Sequence, residues 1–259
     1  QVYIIVRKKL AKKLLKNKNI KVIYFKNYKS LHSKIKKIKV DTVIHCATHY
    51  IRNHKFSDIE KLCNSNIFLG NVILENLENI KASKFINFST VWEDSNAKPN
   101  NPHNLYAAYK KSFSIILNFY KKKLKKVNFY ELMISDTFGK NDFRKKIINT
   151  LKKNYHKGKT TTVLSKNLHL NLLNIKDIIE AIKLILNKKV IPKKYLLKNS
   201  SDTKITKLIK IFNINSKKQL KIKWMSNVVI KNKIYPYDKL KDWKPKNSDV
   251  GDIINFIKF

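Results

Sequence analysis

The chain has few cysteines and no long apolar run. Among its 259 residues Cys46 and Cys63 are the cysteines, too few for a disulfide framework or a thiolate metal site, and we expect both to be small buried hydrophobic residues. His45, His49 and His54 have no accompanying set of carboxylates, so no metal site is expected. No apolar stretch approaches the ~20 residues needed to cross a bilayer, and the start shows no signal-peptide pattern. These absences predict a cytoplasmic protein with no membrane partner.

Acidic residues and arginine are also scarce. Asp and Glu total 17 against 57 Lys and Arg, which gives a formal net charge of +40, but the arginines are only Arg7, Arg52 and Arg144. A charge of this size ordinarily indicates nucleic acid or an anionic membrane, yet proteins that read bases and phosphates depend on the planar fork of arginine. The abundance of Lys, Asn, Ile, Phe and Tyr is instead typical of A/T-rich codons. We therefore expect a solvated lysine-rich surface and no nucleic-acid partner, with salt-sensitive nucleic-acid binding as an alternative.

The apolar pattern predicts an α/β fold. Short β-branched runs predict strands, and amphipathic segments between them predict helices. The predicted strands are Val2–Val6, Ile20–Phe25, Thr42–His45, Phe85–Phe88 and Val127–Ile134. The predicted helices are Leu10–Leu15, Leu31–Ile38, Ser57–Leu77, Leu105–Tyr120, Arg144–Tyr155, Lys204–Phe212 and Val250–Phe259. Strands that alternate with helices indicate a doubly wound parallel sheet.

One predicted helix contains a chemical pattern. Tyr106 and Lys110, in NLYAAYKK, are four residues apart, so an ammonium on the same helical face favours the phenolate and can hold a ribose hydroxyl. A free phenol titrates near ~10, and a neighbouring cation brings it closer to working pH. Thr90, in FINFSTVW, would donate a second hydrogen bond to the same carbonyl oxygen. These side chains predict proton transfer at a carbonyl and point to redox chemistry.

The Tyr–Lys spacing alone is weak evidence, because lysine is abundant. The same spacing relates Tyr155 to Lys159, Tyr235 to Lys239 and Tyr237 to Lys241. Without further context, each such pair is better explained as an ordinary solvated helix face. Tyr106 differs because an apolar run ending in Ser89 and Thr90 precedes a loop with Pro99 and Pro102, and the helix follows.

Several further motifs occur in an order typical of one enzyme family. VDTVIHCATHY, CNSNIFLGNVILENL, FINFSTVW, NLYAAYKK, LMISDTFGKND, LLNIKDIIEAI and LKDWKPKNS follow one another along nearly the whole chain. Together they resemble the extended short-chain dehydrogenase/reductase family, which contains nucleotide-sugar epimerases, dehydratases and reductases. The resemblance implies that Thr90, Tyr106 and Lys110 are catalytic.

The resemblance also implies how cofactor and substrate are held. A dinucleotide-binding, Rossmann-like domain would comprise residues 1–165, and a small C-terminal substrate lobe would comprise 166–259, with some segments returning to the Rossmann core. The positions that match the family's cofactor contacts are Arg7, Cys46, Ala47, Thr48, Asn66, Tyr106, Lys110 and Thr137. Thr90 and Arg144 would contact the nucleotide-sugar substrate, Arg144 through the pyrophosphate, although a surface arginine at a helix start explains Arg144 equally well. Family analogy also suggests a homodimer.

Arg7 bears on the choice of cofactor, and the residues after Thr90 bear on the type of reaction. A cation at the end of this strand suits the 2′-phosphate of NADP, with NAD, or an ordinary surface arginine, as the alternative. Val91 and Trp92 stand where a 4,6-dehydratase of the family has an Asp-Glu pair, so reduction or epimerisation is favoured over dehydration. The short interval from Thr90 to Tyr106 and the segment SDTFGKNDFRKK most resemble the CDP-abequose and CDP-paratose synthase branch, which reduces a 4-keto-6-deoxy sugar.

Glycine is too scarce for the family's phosphate-binding loop. The glycines are Gly70, Gly139, Gly158 and Gly251, which are too scattered to form a Gly-x-x-Gly-x-x-Gly turn. The resemblance places Gln1 in the family's second strand, so we expect a Rossmann-like doubly wound sheet lacking its first strand and glycine-rich loop. A degenerate, non-catalytic remnant that acts as a binding protein is the alternative to an active enzyme. Substitutions relative to the family on the substrate side are Met133, Lys140, Leu170 and Asn171.

Overall fold

The computed structural model describes residues 1–7, 17–142 and 144–259. They form two compact units, the first made of Gln1–Ser89 and Pro102–Glu131 and the second of Thr90–Asn101 and Leu132–Phe259. The predicted helix Leu10–Leu15 lies outside the described residues. The predicted division at residue 165 separates cofactor from substrate functions, and it stays a prediction.

The five strands predicted from the sequence are confirmed, with shifts of a few residues at their ends. The strands of the described ranges are β1 (Val2–Val6), β2 (Ile20–Tyr24), β3 (Thr42–His45), β4 (Lys84–Thr90), β5 (Asn128–Ile134), β6 (Asp136–Phe138), β7 (Thr161–Val163), β8 (His169–Leu170), β9 (Leu172–Asn174), β10 (Lys194–Leu197), β11 (Thr203–Lys204) and β12 (Ile222–Trp224). The first five are rich in β-branched and aromatic residues, which suit a pleated surface.

Strand pairing is mainly parallel. In the first unit β1 pairs with β2, and β3 pairs with β4 so that His45 lies opposite Asn87. Strand β5 is the next neighbour of β4. In the second unit β6 pairs with β9 and β7 with β12, both in parallel, while β8 and β11 are antiparallel and β10 lies beside the end of β5. The predicted α/β class with parallel strands is confirmed.

The helices of the described ranges agree with the apolar pattern, with one interruption. They are α1 (Tyr28–Ile35), α2 (Ile59–Cys63), α3 (Leu69–Leu74), α4 (Leu105–Lys123), α5 (Ile147–His156), α6 (Ile175–Asn187), α7 (Ile205–Ile214) and α8 (Val250–Lys258). A π-helical segment, Asn64–Phe68, joins α2 to α3, so the helix predicted over 57–77 contains a wider turn. Within the described ranges, every helix is too short or too polar to cross a bilayer.

Helix α4 presents one row of side chains to the interior of the first unit. The Asn104 side chain accepts a hydrogen bond from the Ala107 amide at 2.9 Å, which fixes the start of the helix directly before Tyr106. Its buried positions follow the i, i+3, i+4 spacing of an amphipathic helix and are Ala107, Lys110, Phe113, Leu117 and Tyr120. A lysine therefore occupies a position that the pattern reserves for an apolar residue.

The interior of the first unit depends on a close approach to α4. Phe113 and Leu117 pack with Phe85 and Leu74 in its core. A Cβ added at Gly70 would lie 2.3 Å from the Phe113 ring, so only glycine allows α3 to come this near. The second unit has its own core around Phe138, Leu208, Phe212 and Ile253.

The expected burial of both cysteines is wrong. Cys46 is exposed and Cys63 is half-buried. Cys46 follows the last residue of β3 and so belongs to a loop, while Cys63 ends α2 where the π-helical segment begins.

Candidate active site

Lys110 is buried on α4, one turn before Phe113, whose ring centroid lies 5.1 Å from that of His45 at the end of β3. The Lys110 side chain is 3% exposed. Burial and the nearby Lys110 charge lower the pKa of His45, the last residue of β3, to about 4. Cys46 is exposed as a residue, but protein atoms around its thiol remove part of the solvation and raise the pKa of that thiol, and the Lys110 charge opposes the rise. The predicted cofactor residue Cys46 and the predicted catalytic Lys110 are therefore brought together.

Tyr106 lies one turn before Lys110 and faces the same loop. Its ring is edge-on to the ring of Tyr50, with centroids 5.1 Å apart and an interplanar angle of 88°. Tyr50 follows β3 by five residues, beyond Cys46, Ala47 and Thr48. The structure thus adds Tyr50 to the site. In the sequence, the feature that could have indicated Tyr50 is an aromatic residue shortly after an apolar strand.

Asn66 fastens the loop that follows β3. Its Oδ1 accepts hydrogen bonds from the Thr48 hydroxyl at 2.8 Å and from the His49 amide at 3.3 Å. Its Nδ2 donates to the carbonyl oxygens of His49 at 3.0 Å and Leu62 at 2.9 Å. The buried amide thus uses both of its donors and its acceptor oxygen within the protein. Asn66 therefore shapes the loop that contains Ala47 and Thr48, and a direct contact of Asn66 with a cofactor stays a prediction.

Replacing Asn66 by alanine is expected to destabilise the protein by about 2 kcal/mol, because several buried groups lose their partners. Chemical denaturation of the variant measures this. Asn64→Ala is the matched control, since the Asn64 side chain makes an exposed hydrogen bond to Glu60 and its loss should change stability little. Equal stabilities of the two variants would contradict the proposal that the hydrogen bonds of Asn66 stabilise the loop after β3.

Arg7 stands at the end of β1 against two aromatic rings. Its guanidinium carbon lies 5.5 Å from the centroid of the Phe25 ring and 5.1 Å from that of Tyr28, and a guanidinium N–H donates to the Tyr28 hydroxyl. The Tyr28 hydroxyl donates to the carbonyl oxygen of Asn64 at 2.9 Å. Arg7 is thereby connected to the helical segment that contains Asn66.

Thr90 is the last residue of β4 and belongs to the second unit. It is buried, and its Oγ1 accepts a hydrogen bond from the Trp92 amide at 3.3 Å. That bond leaves the hydroxyl hydrogen for another acceptor. Tyr106 and Lys110 belong to the first unit, so the convergence of all three on one carbonyl stays a prediction.

The carboxylates nearest Thr90 in sequence have structural partners. Glu93 is fully buried and accepts a hydrogen bond from the Lys194 ammonium at 2.8 Å. Asp94, also buried, accepts hydrogen bonds from the Tyr237 hydroxyl at 2.5 Å and from the Asn100 amide at 2.7 Å. Through these hydrogen bonds Glu93 and Asp94 stabilise the turn after Thr90.

Thr137 joins two cations in the second unit. Arg144 Nη2 and Lys146 Nζ donate to its Oγ1 at 3.0 and 3.1 Å. Burial lowers the pKa of Lys146, and the charge of Asp136 opposes this effect. Arg144 also pairs with Asp142 at 2.6 Å. Burial would raise the pKa of Asp142, but its hydrogen bonds from Arg144 outweigh that effect and lower it. The sequence interpretation missed Lys146, which was one lysine among many.

A small polar cavity lies in the second unit. It has a volume of about 30 Å³, and its lining includes Trp92, Ser135, Asp136 and Asn171. The Ser135 hydroxyl is buried and has no hydrogen-bond partner among the described residues. Asn171 is held by Asn199, whose amide donates to its Oδ1 at 2.8 Å. The cavity has room and polar partners for one water.

The sequence of the chain matches the model of a known family. A model of the NAD dependent epimerase/dehydratase family matches residues 1–197. The chain belongs to this family. The predicted resemblance is thereby confirmed at the level of the family.

This family member is 29% identical, over 159 residues, to CDP-abequose synthase of Yersinia pseudotuberculosis. The match covers 60% of the chain and 54% of that synthase, so the chain spans about half the length of its relative. Among solved structures, UDP-glucose 4-epimerase of Thermus thermophilus in complex with NAD superposes with a TM-score of 0.79 at 14% identity, over 100% of this chain and 91% of that one. UDP-glucuronic acid 4-epimerase of Bacillus cereus, in complex with UDP-glucuronic acid and NAD, gives 0.76 at 19% identity, over 95% and 84%. These likenesses confirm the predicted Rossmann-like fold.

Proposed function

We propose that this member of the family is an NADP-dependent nucleotide-sugar 4-ketoreductase or epimerase that acts on a deoxysugar nucleotide. The observation that supports it most is a buried ammonium, Lys110, beside the end of β3, with Tyr106 one turn earlier facing the loop after that strand. The lysines of the competing Tyr–Lys pairs are exposed and lie outside helices; they are Lys159, Lys239 and Lys241. Of the four pairs, that of Tyr106 is the one whose lysine is buried, and a buried charge acts more strongly on a neighbouring phenol than an exposed one.

The proposed roles follow from the chemistry of each group. The Tyr106 phenol gives a proton to, or takes one from, the oxygen on the reacting sugar carbon, and the Lys110 charge stabilises the phenolate left behind. The Thr90 hydroxyl donates to the same oxygen and orients the carbonyl. When bound, the nicotinamide supplies or accepts the hydride. Since Glu93 and Asp94 are engaged in structural contacts, the residues after Thr90 offer no carboxylate pair for dehydration.

The described residues fit a nicotinamide dinucleotide in two places. Arg7, at the carboxyl end of β1, is a cation packed against two aromatic rings, and its charge suits a 2′-phosphate. Cys46, Ala47 and Thr48 form a loop after β3 whose shape is set by Asn66, and this loop lies beside Lys110. We propose NADP as the cofactor, with NAD as the alternative that the family also uses.

Arg7→Ala is expected to weaken NADPH binding about 10- to 100-fold and to leave NADH binding nearly unchanged, because a charge-assisted hydrogen bond to phosphate contributes about 1.5–3 kcal/mol. Fluorescence titration with both cofactors measures this. Lys37→Ala is the control, since Lys37 is an exposed cation that follows α1. Equal loss of NADPH and NADH affinity would show that Arg7 does not read the 2′-phosphate.

On the substrate side we propose that Arg144 and Lys146, which both donate to Thr137, form a pyrophosphate site, while the contact of Thr137 with the cofactor stays a prediction. Two cations meet on one hydroxyl in the middle of the short strand β6, and a guanidinium matches phosphate geometry. Arg144 would exchange part of its contact with Asp142 for the substrate. The nucleotide sugar would then extend from this site to Thr90.

Titration of the purified protein with NADPH, followed by incubation with CDP-4-keto-6-deoxyglucose, tests the proposal. Saturable binding and consumption of NADPH are expected. A non-catalytic remnant of the fold, the alternative, predicts no saturable binding even at millimolar cofactor. A homodimer and a cytoplasmic location stay predictions.

A further inference from the structure

A row of buried polar side chains crosses three neighbouring strands of the first unit. His45 on β3, Asn87 on β4 and Glu131 on β5 are all nearly inaccessible to solvent. His45 Nδ1 and Asn87 Oδ1 are 3.0 Å apart, and Asn87 Nδ2 lies 3.5 Å from Glu131 Oε2. Polar groups in the middle of a parallel sheet are costly to bury unless they satisfy one another. The proposed reaction gives none of the three a role.

The row is attached to helix α4 at both of its ends. The Ser114 hydroxyl, one turn after Lys110, donates to Glu131 Oε2 at 2.7 Å. At the other end the His45 ring packs against the ring of Phe113 on α4, with centroids 5.1 Å apart, and the Lys110 charge acts on His45. The helix that contains Tyr106 and Lys110 is therefore connected to the sheet through the same three polar residues.

The chemistry of Glu131 fixes the direction of every bond in the row. A carboxylate can only accept, so the Asn87 amide nitrogen faces Glu131 and its oxygen faces His45. His45 must then donate from Nδ1, which leaves Nε2 without a hydrogen. Because burial and Lys110 hold the pKa of His45 at about 4, the ring is neutral at physiological pH. Its Nε2 is buried and accepts no hydrogen bond from any described residue.

We propose that Glu131 is a positioning residue that acts through Asn87 to hold His45 in the Nδ1–H tautomer, so that the bare Nε2 presents an acceptor in the surroundings of Lys110. A lone pair there favours the ammonium electrostatically, whereas an Nε2–H would oppose it. The inference rests on the proposed function in one respect, namely the catalytic use of Lys110. The tautomer itself does not depend on any reaction.

The test is Glu131→Met, which keeps the approximate size of the side chain and removes the acceptor that fixes the Asn87 amide. The Asn87 amide can then turn so that its nitrogen donates to His45 Nδ1, and in that arrangement His45 bears its hydrogen on Nε2. Long-range 1H–15N NMR of the protein labelled at histidine should show Nδ1–H alone in the wild type and a population of Nε2–H in the variant. The variant's kcat should fall about 10- to 100-fold while KM for the sugar nucleotide stays unchanged.

Ser114→Ala is the matched control. It removes the hydrogen bond from Ser114 to Glu131 and keeps the carboxylate, so the wild-type tautomer should persist. An Nε2–H tautomer in the wild type would overturn the inference, and this measurement needs no variant to fold. Exclusive Nδ1–H in a folded Glu131→Met protein would overturn it too. If both tautomers are as expected but the wild type reduces no sugar, the proposed function fails and the assignment of Glu131 to His45 stands.

Discussion

Tyr106→Phe is expected to reduce turnover of the sugar nucleotide by about 10²- to 10⁴-fold, the usual contribution of a positioned acid or base. The substitution removes the hydroxyl that moves the proton and keeps the ring that packs edge-on against Tyr50. Folding and NADPH binding should therefore be nearly unchanged. Steady-state kinetics and a cofactor titration of the same preparation separate the two effects.

Tyr109→Phe provides the matched control for this result. Tyr109 is on the same helix and half-buried, interacts with Cys63, and has no part in the proposed proton transfer. Its loss of a hydroxyl should leave turnover intact. Wild-type activity of Tyr106→Phe would remove Tyr106 from the mechanism.

Lys110→Met is expected to reduce turnover by at least about 10²-fold, because the Tyr106 phenolate loses its neighbouring charge. Methionine suits a helical row that is otherwise apolar or aromatic, so the fold should persist. A second effect is independent of catalysis. The pKa of His45, about 4 in the native protein, should rise, because the cation that helps to lower it is gone.

NMR titration of His45 measures that rise, and Lys111→Met is the control. Lys111 is the next residue of α4 and lies outside its buried row. An unchanged His45 pKa in Lys110→Met would show that Lys110 does not act at the end of β3. A higher His45 pKa together with full turnover in Lys110→Met would confirm that Lys110 acts at the end of β3 and would refute its catalytic role.

The fold was predictable from the sequence because its strands are short apolar runs between amphipathic segments. Thr42–His45 and Val2–Val6 are strands at the predicted residues. The helix over 57–77 was predicted as continuous, and the π-helical turn at Asn64–Phe68 was not foreseen. That turn contains Asn66, whose amide bonds to the loop after β3, and no apolar periodicity encodes such a contact.

The residues of the candidate site that belong to a sequence motif were predictable. Those that become neighbours only when distant strands pair were not. Tyr106 and Lys110 are identified by spacing and context, but the burial of Lys110 follows from its place in the apolar row of α4. His45, Asn87 and Glu131 become neighbours only through strand register, which the sequence of each strand leaves open. Lys146 is distinguished from other lysines solely by its contact with Thr137.

The most direct measurement follows deuterium from the cofactor to the sugar. The purified protein is incubated with NADPH deuterated at nicotinamide C4 and with CDP-4-keto-6-deoxyglucose, and the product is analysed by NMR and mass spectrometry. We predict deuterium at sugar C4 with the wild type, and about 10²- to 10⁴-fold slower incorporation with Tyr106→Phe. Saturable binding of both compounds without any deuterium in the sugar would contradict the account.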